Sequence, residues 1–344
     1  MANLTERQKL ILALVIRDYI EETKPVGSVR LVKHYGLDFS SATVRNEMVA
    51  LTEKGYLRQP HTSAGRVPTE EGYRYFVRQL MGNTDLPTMT KQTIAHQFHQ
   101  AGLDVDHWMR LAASVLTHHS QAASLVTAPH AETARFKHVE LVGARGRQVL
   151  MVLVLAGGDL RQQMLSLAEP VSQERLSAVA TKINLLCAGL DPDSIASLSG
   201  KFDALEQDIL NLVVEDMRHT QNVLGGEVYR DGITHVLAEP EFAQVDVARN
   251  ALRILEERSL LEDLLTRTVM TSNVGGVQVL IGGEGTWEEL RDFSMVLARY
   301  GASGLATGTL GVLGPIRMAY GQTISTVRYV AGLLSDLVVD LHAE

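Results

Sequence analysis

The side chains with the most chemistry in this chain are packed into one short run, Ser40-Ser41-Ala42-Thr43-Val44-Arg45-Asn46-Glu47-Met48. Asparagine can bond adenine in two places, arginine can bond guanine, and small apolar groups can touch a thymine methyl. Wound as a helix at about 100° per residue, the run places Val44, Met48 and Leu51 on one side as a core-facing stripe. Ala42 and Asn46 then point the opposite way, with Thr43, Arg45, Val49 and Ala50 on the flanks. Two serines offer N-caps and Gly55 stops the helix. A small N-terminal turn bearing Thr, Arg and Asn is what a helix needs to approach base edges closely. Taken alone, the segment is better read as an ordinary amphipathic surface helix. Its neighbours decide between the two.

Upstream, Thr5-Glu6-Arg7-Gln8 has the form of a capping box ahead of Leu10, Ile11, Leu14 and Val15. This predicts a first helix to about Thr23, broken by Lys24-Pro25-Val26-Gly27. A second, short helix capped by Ser28 runs to Tyr35 and ends at Gly36, and Gly36-Leu37-Asp38-Phe39 turns directly into the third. That is the helix-turn-helix pattern used to enter a major groove. Downstream, Tyr56-Leu57-Arg58-Gln59 and Arg66-Val67-Pro68-Thr69 read as a hairpin around Pro60-His61-Thr62-Ser63-Ala64-Gly65. Thr69-Glu70-Glu71-Gly72 opens a further helix through Tyr73, Phe76, Val77 and Leu80. Residues 1–81 therefore read as a winged helix.

The candidate DNA contacts follow from that geometry. Thr43, Arg45 and Asn46, with Ala42 beside them, are candidates for base readout. Ser40, Ser41 and the helix N-terminus would anchor phosphate, aided by the helix dipole. Arg58, His61, Thr62, Ser63 and Arg66 form the wing contacts, and Ser28 and Arg30 on the second helix complete the set. Charge leans the same way. Residues 1–81 carry 12 Lys/Arg against 9 Asp/Glu, a net of +3, while the remainder carries 20 against 31, a net of −11. An acidic body with a mildly basic end suits a nucleic-acid-binding segment. So small a surplus predicts weak, salt-sensitive non-specific binding, with specificity resting on dimerisation and base contacts.

The chain also resembles the HrcA family of heat-inducible transcription repressors. The resemblance is carried by Leu4-Thr5-Glu6-Arg7-Gln8 with Pro25-Val26-Gly27-Ser28, by Ser41-Ala42-Thr43-Val44-Arg45-Asn46-Glu47-Met48, and by His61 through Thr69. Later come Glu239-Pro240-Glu241-Phe242, Val277-Gln278-Val279-Leu280-Ile281-Gly282 and Gly308 through Met318. These blocks fall in order over nearly the whole chain. The resemblance implies a homodimer that represses chaperone operons from an inverted-repeat operator, the CIRCE element. It also implies that the GroE chaperonin promotes the active state, so that unfolded protein occupying the chaperonin relieves repression. It further implies a GAF-like domain interrupted by an inserted dimerising domain.

Past the winged helix, residues 81–88 have linker composition, and a polar helical region runs to about Gln121, divided near Gly102. From Phe136 to Leu167, Val139, Leu141, Val149, Met151, Leu153 and Leu155 alternate with period two, the mark of paired strands. Arg145-Gly146-Arg147 and Gly157-Gly158-Asp159 supply the turns. Segments 172–189, 202–218 and 245–268 show helical periodicity, with Asp191-Pro192-Asp193 and Gly225-Gly226 as breaks. Val277 to Ile281 and Gly308 to Leu313 read as strands, Trp287 to Tyr300 as a helix opened by Glu284 to Thr286, and Thr323 to Leu341 as a last helix. The expected fold class is α+β and multidomain. The boundaries read as 1–81 for the winged helix, 82–100 for a connecting helix, and 101–168 and 269–344 for two parts of the GAF-like domain. A mainly helical dimerising insertion occupies 169–268.

Other functions find little support. The chain has 344 residues, 45% hydrophobic, enough for two or three domains with sizeable cores. No apolar run reaches the roughly 18–20 residues of a membrane span, and the start lacks a signal peptide's features, so a cytoplasmic location is expected. Cys187 is the single cysteine; set among Ile183, Leu185 and Leu186, it reads as a buried small residue, without disulfide or thiolate cluster. Gly282-Gly283-Glu284-Gly285-Thr286-Trp287 lacks the third glycine of a dinucleotide loop and the Lys-Ser/Thr of a P-loop. His96, His99, His107, His118 and His119 have no companions at zinc-ligand intervals, and no G-x-S-x-G or H-E-x-x-H occurs. The expectation is no cofactor, no metal and no catalysis. The competing readings are a regulator whose signal is a small molecule in the GAF-like pocket, and a protein-interaction adaptor. The adaptor would leave the polar Ala42–Asn46 turn without a purpose.

Overall fold

Thr5 starts the first helix as its spacing predicts. Its hydroxyl accepts the Gln8 N–H, and the Gln8 side chain accepts the Thr5 N–H, opening α1 (Glu6–Glu22). Thr23 ends it in the left-handed region at φ 58°. Helix α2 (Ser28–Tyr35) stops at Gly36, also left-handed. Its cap position belongs to Gly27, with no side-chain bond, so Ser28 is the first helical residue and not the cap. Ser40 caps α3 (Ser41–Glu53) by accepting the Thr43 N–H. Strands β1 (Leu57–Arg58) and β2 (Val67–Pro68) form the wing, shorter than the sequence suggested. Helix α4 (Glu70–Tyr75) is capped by Thr69 and runs into a π-helical turn, Phe76–Leu80.

The computed structural model describes residues 4–82, 84–102, 104–131, 134–156, 160–220, 227–269, 273–285 and 287–343. The expected turn at 157–159, the break at 225–226 and Thr286 lie outside them. After the winged helix come α5 (Thr88–Gln100) and α6 (Val105–Ser120), divided at Gly102 with φ 63°. Next are β3 (Ala123–Thr127), β4 (His130–Ala131), β5 (Phe136–Gly143), β6 (Gln148–Leu155) and β7 (Leu160–Ser166). Helices α7 (Gln173–Cys187), α8 (Pro192–Ala196) and α9 (Ala204–Thr220) follow, then β8 (Val228–Asp231) and α10 (Ile233–Ala238). The chain closes with α11 (Val245–Glu256), α12 (Arg258–Val269), β9 (Val277–Ile281), β10 (Phe293–Gly301), β11 (Ala306–Pro315) and α13 (Tyr320–Ala343).

These elements form two units. The first takes residues 1–126, 228–300 and 309–337. It joins the winged helix to a sheet ordered β8-β3-β11-β10-β9. Its middle is closed by pairs such as Val126 opposite Leu310 and Val296 opposite Val279. Trp108, Tyr300, Phe293 and Tyr320 are among its largest buried side chains. The second unit takes residues 127–227, 301–308 and 338–344. In it β5-β6-β7 make a separate antiparallel sheet. Val139, Leu141, Val149, Met151, Leu153 and Leu155 point into a core with Ile183, Cys187, Ile209 and Val213. Side-chain amides close the free edge of β5: Asn184 bonds both backbone groups of Val139, and Gln173 takes the Gly143 N–H and the Leu141 carbonyl. A covered edge does not recruit stray strands. Burial pushes the Cys187 thiol up to about 11.

Two expectations differ from what is seen. The alternation over 136–166 suggests one domain with 277–313; among the described residues β5, β6 and β7 pair with one another, and the compact units divide near residues 126 and 228. Period-two alternation marks a strand with one buried face; it does not name the strand beside it. The segment 245–268 also belongs to the first unit, as two helices. The helix expected over 287–300 is a 3₁₀ turn at Glu288–Leu290 followed by β10. Met295, Leu297 and Ala298 favour helix locally, but this strand is buried along almost its whole length on both faces, so it carries no alternation.

Candidate nucleic-acid interface

Helix α3 is held by its inner face. Val44 and Leu51 are fully buried and Met48 nearly so. Ala42, Arg45 and Asn46 are exposed on the other side, with Ser41 and Thr43 partly exposed at the first turn. Ser40 Oγ accepts the Thr43 N–H at 3.1 Å and shares a hydrogen bond with Thr43 Oγ1 at 2.9 Å, which fixes the rotamer of Thr43. A polar network fastens α3 to α1. Gln8 Nε2 donates to Glu47 at 3.1 Å, Lys54 Nζ donates to Gln8 Oε1 at 2.9 Å, and Arg7 lies 3.5 Å from Glu47. The outer face is thus presented by a helix whose rotation is fixed by packing and by charge.

The wing is built the same way. Val26 and Arg66 exchange both backbone hydrogen bonds at 2.8 Å, so the hairpin base is stitched to the segment before α2. Gln59 Nε2 donates to the carbonyls of Thr62 and Ala64 at 2.8 and 3.0 Å, shaping the tip. His61, Thr62 and Ser63 are left exposed at that tip, and Arg58 is exposed on β1. Two candidates are occupied elsewhere. Arg66 Nε donates to Thr52 Oγ1 at 3.0 Å, tying the wing to α3. Arg30 grips Asp18 through Nε at 2.7 Å and Nη2 at 3.2 Å, and reaches Glu22 at 3.1 Å. Those carboxylates raise its guanidinium above its ordinary range. Asp18 is buried and also meets His34 Nδ1 at 3.1 Å, so this cluster staples α2 to α1.

The structure thus gathers Ala42, Thr43, Arg45 and Asn46 on one exposed helix face, and His61, Thr62 and Ser63 on one exposed tip. Asp18, Gln59 and Thr52, which hold these surfaces in place, escaped the sequence reading. Nothing in their spacing distinguishes them, because each acts through a partner distant in the chain or through backbone carbonyls. His96, His99 and His107 are exposed, and among the described residues no group of His, Cys, Asp and Glu could hold a metal ion. No helix among them is long and apolar enough to cross a membrane.

Comparison with known proteins gives matches over both parts of the chain. Residues 106–324 match the family model described as the HrcA protein C terminal domain, and residues 1–65 match the LexA DNA binding domain. The heat-inducible transcription repressor HrcA of Roseiflexus castenholzii is 45% identical over 348 aligned residues, covering 99% of this chain and 96% of that protein. The one from Thermomicrobium roseum is 40% identical, covering 98% and 96%. A crystal structure described as a hypothetical protein aligns with a TM-score of 0.62 at 22% identity, over 98% of this chain and 100% of the other, a likeness of fold.

Proposed function

We propose, for a chain that belongs to the HrcA family of heat-inducible transcription repressors, a homodimer that sets two winged helices on the half-sites of a CIRCE-type inverted repeat. That it is a DNA-binding repressor of the heat-shock response, and not an enzyme, follows from the family. The observation that carries the rest is the exposed Ala42–Asn46 face above the buried Val44, Met48 and Leu51 stripe. Thr43, Arg45 and Asn46 read base edges; Ser40 and Ser41 meet phosphate at the helix N-terminus; Arg58, His61, Thr62 and Ser63 contact backbone or minor groove. Arg30 and Arg66 contribute mainly by holding these surfaces in place, and Ser28, first residue of α2, meets phosphate.

An inverted repeat calls for a two-fold partner. The outer face of β5-β6-β7 supports one. Val142, Leu150 and Met164 lie in one cross-strand row and Val154 and Leu160 in another, with Val152 between them. Val142, Leu160 and Met164 are 44%, 54% and 55% exposed. An apolar patch of this kind on a sheet face suits a self-complementary contact. The second unit is then the inserted dimerising domain, and the sheet of the first unit is the GAF-like domain it interrupts.

Dependence on the GroE chaperonin has a physical basis in the topology. Strand β3 cannot complete its sheet until β11, on the far side of the insertion, has arrived. Such long-range pairing is slow and leaves edges open while it waits. The test is a titration of purified protein against labelled CIRCE duplex and a scrambled duplex, each with and without GroE. Selective binding that GroE strengthens supports the reading. Equal weak binding to both duplexes by a folded dimer overturns it.

A further inference from the structure

The turn Gly282-Gly283, which offers no phosphate cradle, meets the winged helix. Gly282 is left-handed at φ 62°, and a Cβ there would lie 2.4 Å from the Glu70 carboxylate. Glu70 is held in that position by Arg74, whose Nη2 donates to Glu70 Oε2 at 2.9 Å and to the Ile281 carbonyl at 2.8 Å. The same guanidinium lies 3.5 Å from Glu71. The Arg74 side chain is only 17% exposed, and charge-assisted bonds in such a setting are stronger than exposed ones. Beside it Tyr73 is buried, its ring centroid 6.0 Å from that of Tyr320. Tyr320 is itself pinned, through hydrogen bonds to Ser294 Oγ at 2.7 Å and the Ile316 carbonyl at 2.5 Å. Next to this contact a cleft of about 730 Å³ opens, lined by Arg58 and Pro68 on one side and Gln244, Arg291 and Arg317 on the other. Among the described residues, α4 carries these bonds from the DNA-binding element to the body.

We infer that Arg74, with Glu70 and Gly282, is a positioning latch that fixes the recognition helix against the body of its own subunit, and so sets the half-site spacing the repressor accepts. The inference rests on the inverted-repeat reading above. In a dimer joined elsewhere, the distance and rotation between two recognition helices are only as definite as each winged helix's seat on its body. Without the latch, the winged helix is held through the Tyr73 contact and through the chain that leads to Thr84, whose carbonyl accepts from Ser325 Oγ at 2.6 Å, and it can pivot about that joint. A loosely held pair samples many spacings and discriminates among them poorly.

The experiment measures affinity of the full-length protein for duplexes with the natural spacer and with two or five base pairs inserted. Five base pairs turn one half-site by about half a helical turn. The parent is expected to lose about a hundredfold on that duplex. Arg74→Gln and Gly282→Ala, which break the contact from opposite sides, are expected to lose less than about tenfold, with Arg74→Lys between. Each variant's affinity for an isolated half-site reports that its winged helix is intact, and a variant that fails this check yields to the other. A folded variant with the parent's spacing profile overturns the latch. A parent indifferent to the inverted repeat instead overturns the operator reading.

Discussion

Asn46 stands exposed on α3 while Val44, two residues before it, is fully buried, and that contrast makes it the residue on which base recognition is best tested. Asn46→Ala is expected to cost roughly 1–3 kcal/mol on the operator and to relax specificity at one base pair. Affinity for random duplex should be unchanged, and competitive titrations on both duplexes measure the difference. An equal loss on both would reassign Asn46 to phosphate or to folding. At this scale, side-chain type and spacing placed Ala42, Arg45 and Asn46 on the exposed face. They did not reveal that Arg30 is gripped by the buried Asp18, or that Arg66 turns back to Thr52. Whether an arginine is free depends on carboxylates and hydroxyls that only the packed helices bring near.

Among the elements, the wing depends on one close backbone approach. A Cβ on Gly65 would lie 2.3 Å from the Val26 carbonyl oxygen and 2.8 Å from the Pro25 carbonyl carbon, inside the bridge that joins the hairpin to the segment before α2. Gly65→Ala should therefore destabilise the winged helix by roughly 1–3 kcal/mol, the usual range for forced overpacking. Gly200→Ala, where a Cβ meets nothing within 4 Å, should stay within about 0.5 kcal/mol. Denaturant melts of the two variants decide this. Legibility at this scale followed locality. Caps at Thr5, Ser40 and Thr69 and the stops at Gly36 and Gly102 act within one turn of chain, and they form where expected. Strand β10 was misread because its evidence is its neighbours: enclosed between β9 and β11, it has no solvent face to print a period.

For the whole molecule, the outer face of β5-β6-β7 makes a falsifiable statement about assembly. Val152 lies at its centre, opposite Glu140 on one strand and Gln162 on the other. Val152→Asp points its charge away from the core of its own unit, so the subunit should remain folded. Sedimentation velocity should then find a monomer, with operator affinity reduced by about a hundredfold or more as each half-site is bound alone. A persisting dimer would place the two-fold contact elsewhere.

The sequence by itself determined the winged helix, the exposed outer face of α3, the buried thiol and the family, since each is written in short blocks whose spacing acts locally. The tertiary structure alone decided which strands share a sheet, where the second unit begins, and which polar side chains are committed to bonds within the winged helix. Those outcomes depend on pairs such as Val126 with Leu310 and Arg74 with Ile281. A contact between residues so far apart in the chain leaves no periodic trace in either segment, because each side chain's pattern reports only that a face is buried, and not by what.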